Sequence, residues 1–143
     1  MTPIPVHAAN PGPMTGDGNW TYLIPGRVTT LIDAGTGAQP FLDALHAALD
    51  GRELDQVLVT HGHTDHASGA PAIAARYPRA VFRKHPWAER DVRWPLPWAR
   101  IDEGDRIAVG DVVVEAVHTP GHAPDHMAFW HDGTRTLFGG DLA

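Results

Sequence analysis

Cysteine is absent from this sequence. Disulfides, thiolate ligands and a cysteine nucleophile are thereby excluded, and any metal must be held by imidazole and carboxylate. Apolar runs long enough to span a membrane are also missing. Positive charge is scarce, with 11 Lys and Arg against 17 Asp and Glu and a formal net charge of −6. That balance argues against a nucleic-acid binder, because phosphate contacts need clustered cations. It leaves room for a small anionic substrate, which a metal attracts locally. No Gly-x-Ser-x-Gly elbow is present, so no serine nucleophile of that type is expected. The N-terminal stretch MTPIPVHAANPGPMTGDGNW has neither the basic nor the apolar region of a signal peptide, and a cytoplasmic setting is expected.

What is present suits one globular domain: 143 residues, 43% of them hydrophobic, enough to bury a core. Residues 1–18 are rich in Pro, Gly and Asn and read as an irregular arm, with the domain proper at 19–143. Trp20–Ile24 and Val28–Asp33 predict a hairpin through Pro25-Gly26. Phe41, Leu42, Leu45, Ala48 and Leu49 recur at helical spacing between Pro40 and a stop at Gly51. Leu54–Thr60 predicts a buried strand, Ser68–Tyr77 a second helix and Ala80–Arg83 another strand. The stretch 86–100, dense in Pro, Trp and Arg, reads as a long ordered loop. Two further hairpins are predicted, Arg106–Val109 with Val112–His118 and Met127–His131 with Thr134–Phe138. The fold class is therefore α/β (α+β), a mixed sheet covered by helices on one face.

The chemistry concentrates in one place. Of 10 histidines, three fall in His61-Gly62-His63-Thr64-Asp65-His66. In an extended segment residues two apart point the same way, so His61, His63 and Asp65 are expected on one face, with His66 turning in where the next helix starts. Gly62 would relieve crowding between the imidazoles. Such a group at the end of a buried strand is costly unless a metal or hydrogen bonds satisfy it. A solvated histidine-rich loop is the plainer alternative, and the alternation, the Asp and the strand-to-helix setting weigh against it.

The order of motifs, Leu31-Ile32-Asp33-Ala34-Gly35, then His61–His66, then Thr119-Pro120-Gly121-His122, then Gly139-Gly140-Asp141-Leu142, resembles the metallo-β-lactamase superfamily from about Gly18 to the last residue. Thr119 through His126 looks most like the β-lactamase-like protein 2 and glyoxalase-II branch. The resemblance implies an αββα sandwich and a binuclear metal site. It assigns His61, His63 and His122 to a first metal, Asp65 and His66 to a second, and Asp141 to both. It implies Asp33 as a supporting hydrogen-bond partner of the ligands, against a plainer role in capping the Gly35 turn. The implied chemistry is hydrolysis of an ester, thioester, lactone or phosphodiester by a metal-activated hydroxide that Asp65 orients as the catalytic carboxylate. Zinc is the expected metal, with iron or manganese as alternatives.

Family members continue past the Gly-Asp and supply a later histidine. Here the sequence ends at Ala143, so the resemblance extends to the N-terminal half to two-thirds of the fold. The second site is expected to be one ligand short, and a sheet edge open to pairing with another chain or a second copy. His126 and His131 are candidate substitutes, with packing or surface roles the better reading. His7 and His46 are expected at the surface, and His118 in the core or as a residue supporting the metal ligands. Lys84-His85-Pro86-Trp87 resembles the start of a substrate-facing loop, with a structural loop preferred. Arg90, Arg93 and Arg100 near Trp94 and Trp98 suit either single-stranded nucleic acid or, as preferred here, Arg-Trp packing. The expected partner is a small-molecule substrate, with no membrane. Two other outcomes remain open: an iron-dependent oxidoreductase of the same fold, and a catalytically incomplete metal-binding fragment.

Overall fold

A computed structural model describes residues 2–9, 20–121 and 123–139. Ten strands and four helices are assigned among them. A six-stranded sheet runs β1 (Ile4–His7), β2 (Trp20–Ile24), β3 (Thr30–Ile32), β4 (Gln56–Leu58), β5 (Val81–Lys84) and β6 (Ala99–Arg100) in spatial order. The first three strands are antiparallel, whereas β3 through β6 pair in parallel. A second, antiparallel sheet has the order β10 (Thr136–Phe138), β9 (Met127–His131), β8 (Val112–His118), β7 (Arg106–Val109). The parallel crossovers are made by α1 (Gln39–Leu49), by α2 (Thr64–Ala67) with α3 (Ala70–Arg76), and by the segment containing α4 (Ala88–Asp91).

Alternation along the strands builds two cores. Leu23, Leu31, Val57 and Phe82 face the helices, where Phe41, Leu42, Leu45, Leu49 and Ile73 close over them. Their neighbours Ile24, Ile32 and Leu58 face the opposite way and meet Val114, Met127 and Phe129 of the second sheet. The result is a helix–sheet–sheet stack. Helices cover one face of the stack among the described residues, in keeping with the N-terminal half to two-thirds of an αββα sandwich.

Four local expectations need correction. The N-terminal arm contains a strand: β1 pairs with β2 from Ile4↔Leu23 to His7↔Trp20 and buries Val6. Pro3 and Pro5 obscured it, yet Pro5 fits an edge strand that needs no donor on its open side. The expected helix at 68–77 is two helices, because α2 starts at Thr64 and the chain bends at Ser68-Gly69. Gly69 lies so close to the β3–α1 turn that a Cβ there would sit 2.1 Å from the Ala34 carbonyl oxygen. The loop at 86–100 holds the short helix α4 and the edge strand β6. Finally, Asp65 lies in the first turn of α2 rather than in an extended segment, so its side chain does not continue the alternation of His61 and His63.

Candidate metal centre

β3 and β4 are parallel neighbours, and both release their chain at the same edge of the sheet. Asp33 follows β3, and Thr60 with His61 follows β4 within three residues. Asp33 is 4% exposed and sits in the left-handed region at φ 67°. A non-glycine residue there is strained by roughly 1–3 kcal/mol unless its surroundings over-determine it. Here they do, because the hydrogen bonds of the carboxylate go to the motif. The Thr60 N–H donates to Oδ1 at 2.8 Å, and the Thr60 hydroxyl lies 3.0 and 3.1 Å from the two oxygens. His66 Nδ1 lies 2.8 Å from Oδ2. The side chain therefore serves Thr60 and His66, not the Gly35 turn.

Donor accounting fixes two tautomers. A carboxylate only accepts, so the His66 Nδ1–H donates to Asp33. The single hydroxyl proton of Thr60 goes to Asp33, so the 2.9 Å contact between Thr60 Oγ1 and His61 Nδ1 must be donated by the imidazole. Both rings thus carry a proton on Nδ1, which in the neutral imidazole leaves the lone pair on Nε2. A metal-ligating histidine has the same arrangement, its second nitrogen tied to a carboxylate or its proxy. The imidazole and carboxylate donors present accordingly suit a divalent metal cation.

The rings converge on His61. Its centroid is 4.7 Å from His63, 4.4 Å from His66 and 4.9 Å from His126. His61, His66 and His126 are buried, whereas His63 and Asp65 are half-buried. His66 Nε2 lies 3.4 Å from Asp65 Oδ2. Among the described residues no group of three or more His, Asp or Glu side chains could hold a metal ion as placed. Of the six expected ligands, His122 and Asp141 lie outside the described residues.

The other histidines separate clearly. His126 Nδ1 is 2.7 Å from Thr119 Oγ1, which fixes its ring beside His61. His131 bonds Thr134 within its own hairpin, far from any ligand role in sequence or contact. His7 packs edge-on against Trp20 and is half-buried, rather than exposed as expected. His118 takes no core role; its Nε2 bonds the Pro124 carbonyl and its ring lies 4.5 Å from that of His85. His46 is exposed on α1.

The segment after β5 closes over the motif. Trp87 stands 5.7 Å from the His63 ring, and the Arg90 guanidinium lies 5.6 Å over Trp87. Trp94 and Trp98 instead pack against the helix-side core, Trp98 donating to the Trp94 carbonyl at 2.9 Å. Beside the cluster a cleft of about 320 Å³ is lined by Asp33, His66, Trp20, Tyr22, Leu137 and Phe138, among others. Trp20 and Leu137 are about half exposed there.

Sequence reasoning missed Thr60, Lys84 and Asp125. Lys84 and Asp125 are both buried, and Asp125 reaches the Gly62 N–H at 2.7 Å. Lys84 and Asp125 lie in segments the sequence did single out, but nothing local marks them as a pair, since a Lys at a strand end and an Asp in a turn are ordinary. The space around Gly62 also differs from the sequence expectation. A Cβ there would meet Asp125, Lys84 and Arg90 at 3.2–3.3 Å, not the imidazoles.

This three-layer fold, with ligand-type side chains gathered where parallel strands end, defines a class that the comparisons make definite. Residues 14–143 match the metallo-beta-lactamase superfamily, and the chain belongs to that family. A lactamase-like protein, aptB, of Emericella nidulans is 35% identical over 96% of this chain and 44% of its own length. The atrochrysone carboxyl ACP thioesterase dmxR1 of a Cryptosporiopsis species is 34% identical over 96% of this chain and 42% of its own. The chain thus spans less than half the length of these curated relatives. Among solved structures, a flavo di-iron protein from Thermotoga maritima superposes with a TM-score of 0.74 at 25% identity, covering 84% of this chain and 32% of the other. A metallo-beta-lactamase family protein from Thermus thermophilus covers 96% of this chain and 57% of the other, with a TM-score of 0.72 at 20% identity, a likeness of fold.

Proposed function

We propose that the chain carries the metal-binding part of a zinc-dependent hydrolase that cleaves an acyl bond, thioesters first. The observation that carries this reading is the Asp33 carboxylate. It orients His66 directly and His61 through Thr60, so that both present Nε2. His61, His63 and His122 would hold one cation, with Asp65, His66 and Asp141 at a second. A divalent cation bound there supplies Lewis-acid chemistry, acidifying water and polarising a carbonyl. Asp65, about 29% exposed beside His66, accepts a hydrogen bond from the attacking water and orients it. Buried His61 and His66 fix the geometry, and the adjacent cleft admits a small-molecule substrate. The thioester preference draws on the thioesterase named among the relatives.

Metal analysis of the purified chain, together with hydrolysis of acyl-thioester substrates, tests the proposal. Zinc should co-purify, a chelator should abolish turnover, and added zinc should restore it. Stoichiometric iron without hydrolysis would sink the hydrolase reading. It would favour the oxidoreductase alternative, which the likeness to a flavo di-iron protein supports. Metal binding with neither activity would favour the incomplete fragment. A cytoplasmic setting, carried over from the sequence, belongs to the same proposal and is read by fractionation.

A further inference from the structure

Behind the histidine cluster lies a buried ionic group that the proposed reaction does not use. The Lys84 ammonium contacts the Asp125 carboxylate, and its other ionic partner is Asp91 Oδ1 at 2.9 Å. The Lys84 and Asp125 side chains are both 0% exposed. Lys84 also donates to the His85 carbonyl at 2.9 Å. Asp125 Oδ2 accepts the Gly62 N–H at 2.7 Å as well as the ammonium, and the Arg90 Nε–H donates to the Gly62 carbonyl at 3.1 Å. Both polar groups of the residue between His61 and His63 are thus held from one side. The same turn is tied to the loop a second time, where the Met127 N–H donates to the Thr60 carbonyl at 2.8 Å.

Stability alone gives a weak reason for this arrangement. Burying an ammonium and a carboxylate costs desolvation that their attraction repays only in good geometry. A well-packed apolar pair of similar volume is often as stable or more so. Asp125 moreover keeps its second oxygen, Oδ1, buried without a hydrogen-bond partner among the described residues. What an apolar pair cannot supply is an acceptor for the Gly62 N–H. The absence of a side chain at Gly62 is what lets Lys84 and Asp125 pack there.

We propose that Lys84 and Asp125 form a buried strut that positions the His61–His63 loop against the turn at 123–126, and so fixes how His61 and His63 present themselves to a metal. This rests on the metal-centre reading given above. Lys84 and Asp125 are positioning residues: Asp125 acts through the Gly62 N–H, and Lys84 acts through Asp125.

Cobalt(II) titration of the metal-free chain tests it, read by affinity and by the visible ligand-field spectrum, with thermal melting as the control for folding. The paired variant Lys84→Met/Asp125→Leu removes both charges and the acceptor. It should melt near the unaltered chain yet bind cobalt about 10–100-fold more weakly, the range for residues that orient metal ligands, with a changed spectrum. Lys84→Met/Asp125→Asn returns an acceptor to Gly62 and should recover most of the affinity. Unchanged affinity and spectrum in the folded Met/Leu pair would overturn the strut alone. Wild-type cobalt binding by His61→Ala would overturn the metal reading and the strut with it. Should the Met/Leu pair fail to fold, hydrogen exchange on the unaltered chain decides. Protection of the Gly62 N–H before metal is added supports the strut, and exchange at the solvent rate overturns it.

Discussion

Asp33 shows how much a single carboxylate can organise. Its left-handed backbone aims the side chain back across β3 onto the end of β4, where Thr60 and His66 meet it. Replacing it by Asn keeps a residue tolerant of that backbone but brings an NH2 group to donors. Asp33→Asn should therefore retain the fold and lower metal affinity by about 10–100-fold, measured by competition with a chelating dye. Unchanged affinity would mean that the imidazoles hold their tautomers without it. His61 and His66 were legible in the sequence as a motif. Thr60 was not, because its importance lies in one hydroxyl proton spent on a residue 27 positions away.

At the level of elements, the site depends on α2 lying flat against the β3–α1 turn. The Ala34 N–H donates to the His66 carbonyl, and the Gly69 N–H to the Gly35 carbonyl, each at 2.9 Å. That approach exists only because residue 69 lacks a Cβ. A methyl group there would meet backbone, which cannot swing aside as a side chain does. Gly69→Ala should destabilise the chain by about 1–3 kcal/mol or more, the range for overpacking. Thermal melting reads this, and a change within error would show that the turn can yield. The sequence marked α1 through its apolar spacing and Pro40, and Phe41, Leu42, Leu45 and Leu49 are indeed its buried face. It misjudged the start of α2 because Thr64-Asp65-His66-Ala67 is too short to show a period. Tertiary hydrogen bonds, not local propensity, hold that turn.

For the whole molecule, two cores share one sheet, and the inter-sheet core fixes how the second sheet sits on the first. Phe129 is fully buried there, against Ile24, Ile32 and Leu58 from the opposite layer. Phe129→Ala should cost about 3–5 kcal/mol, whereas Val92→Ala, at a position 75% exposed, should change stability by less than about 0.5 kcal/mol. Chemical denaturation of the two variants gives the comparison. Equal losses would mean that the layers do not pack as described.

The sequence by itself determined the family, the hairpins, the first helix and the clustering of His61, His63, Asp65 and His66, because those features depend on residues close along the chain. Alternation, turn chemistry and motif spacing are local, and local signals survive without a structure. The tertiary structure decided the rest. It turned the N-terminal arm into strand β1, since Val6 is buried only when β2 lies beside it. It gave Asp33 its partners across parallel strands, and it brought Lys84 and Asp125, 41 positions apart, onto the backbone of Gly62. Contacts of that range are set by which strands pair, and a desolvated charge can be recognised only once its surroundings are known.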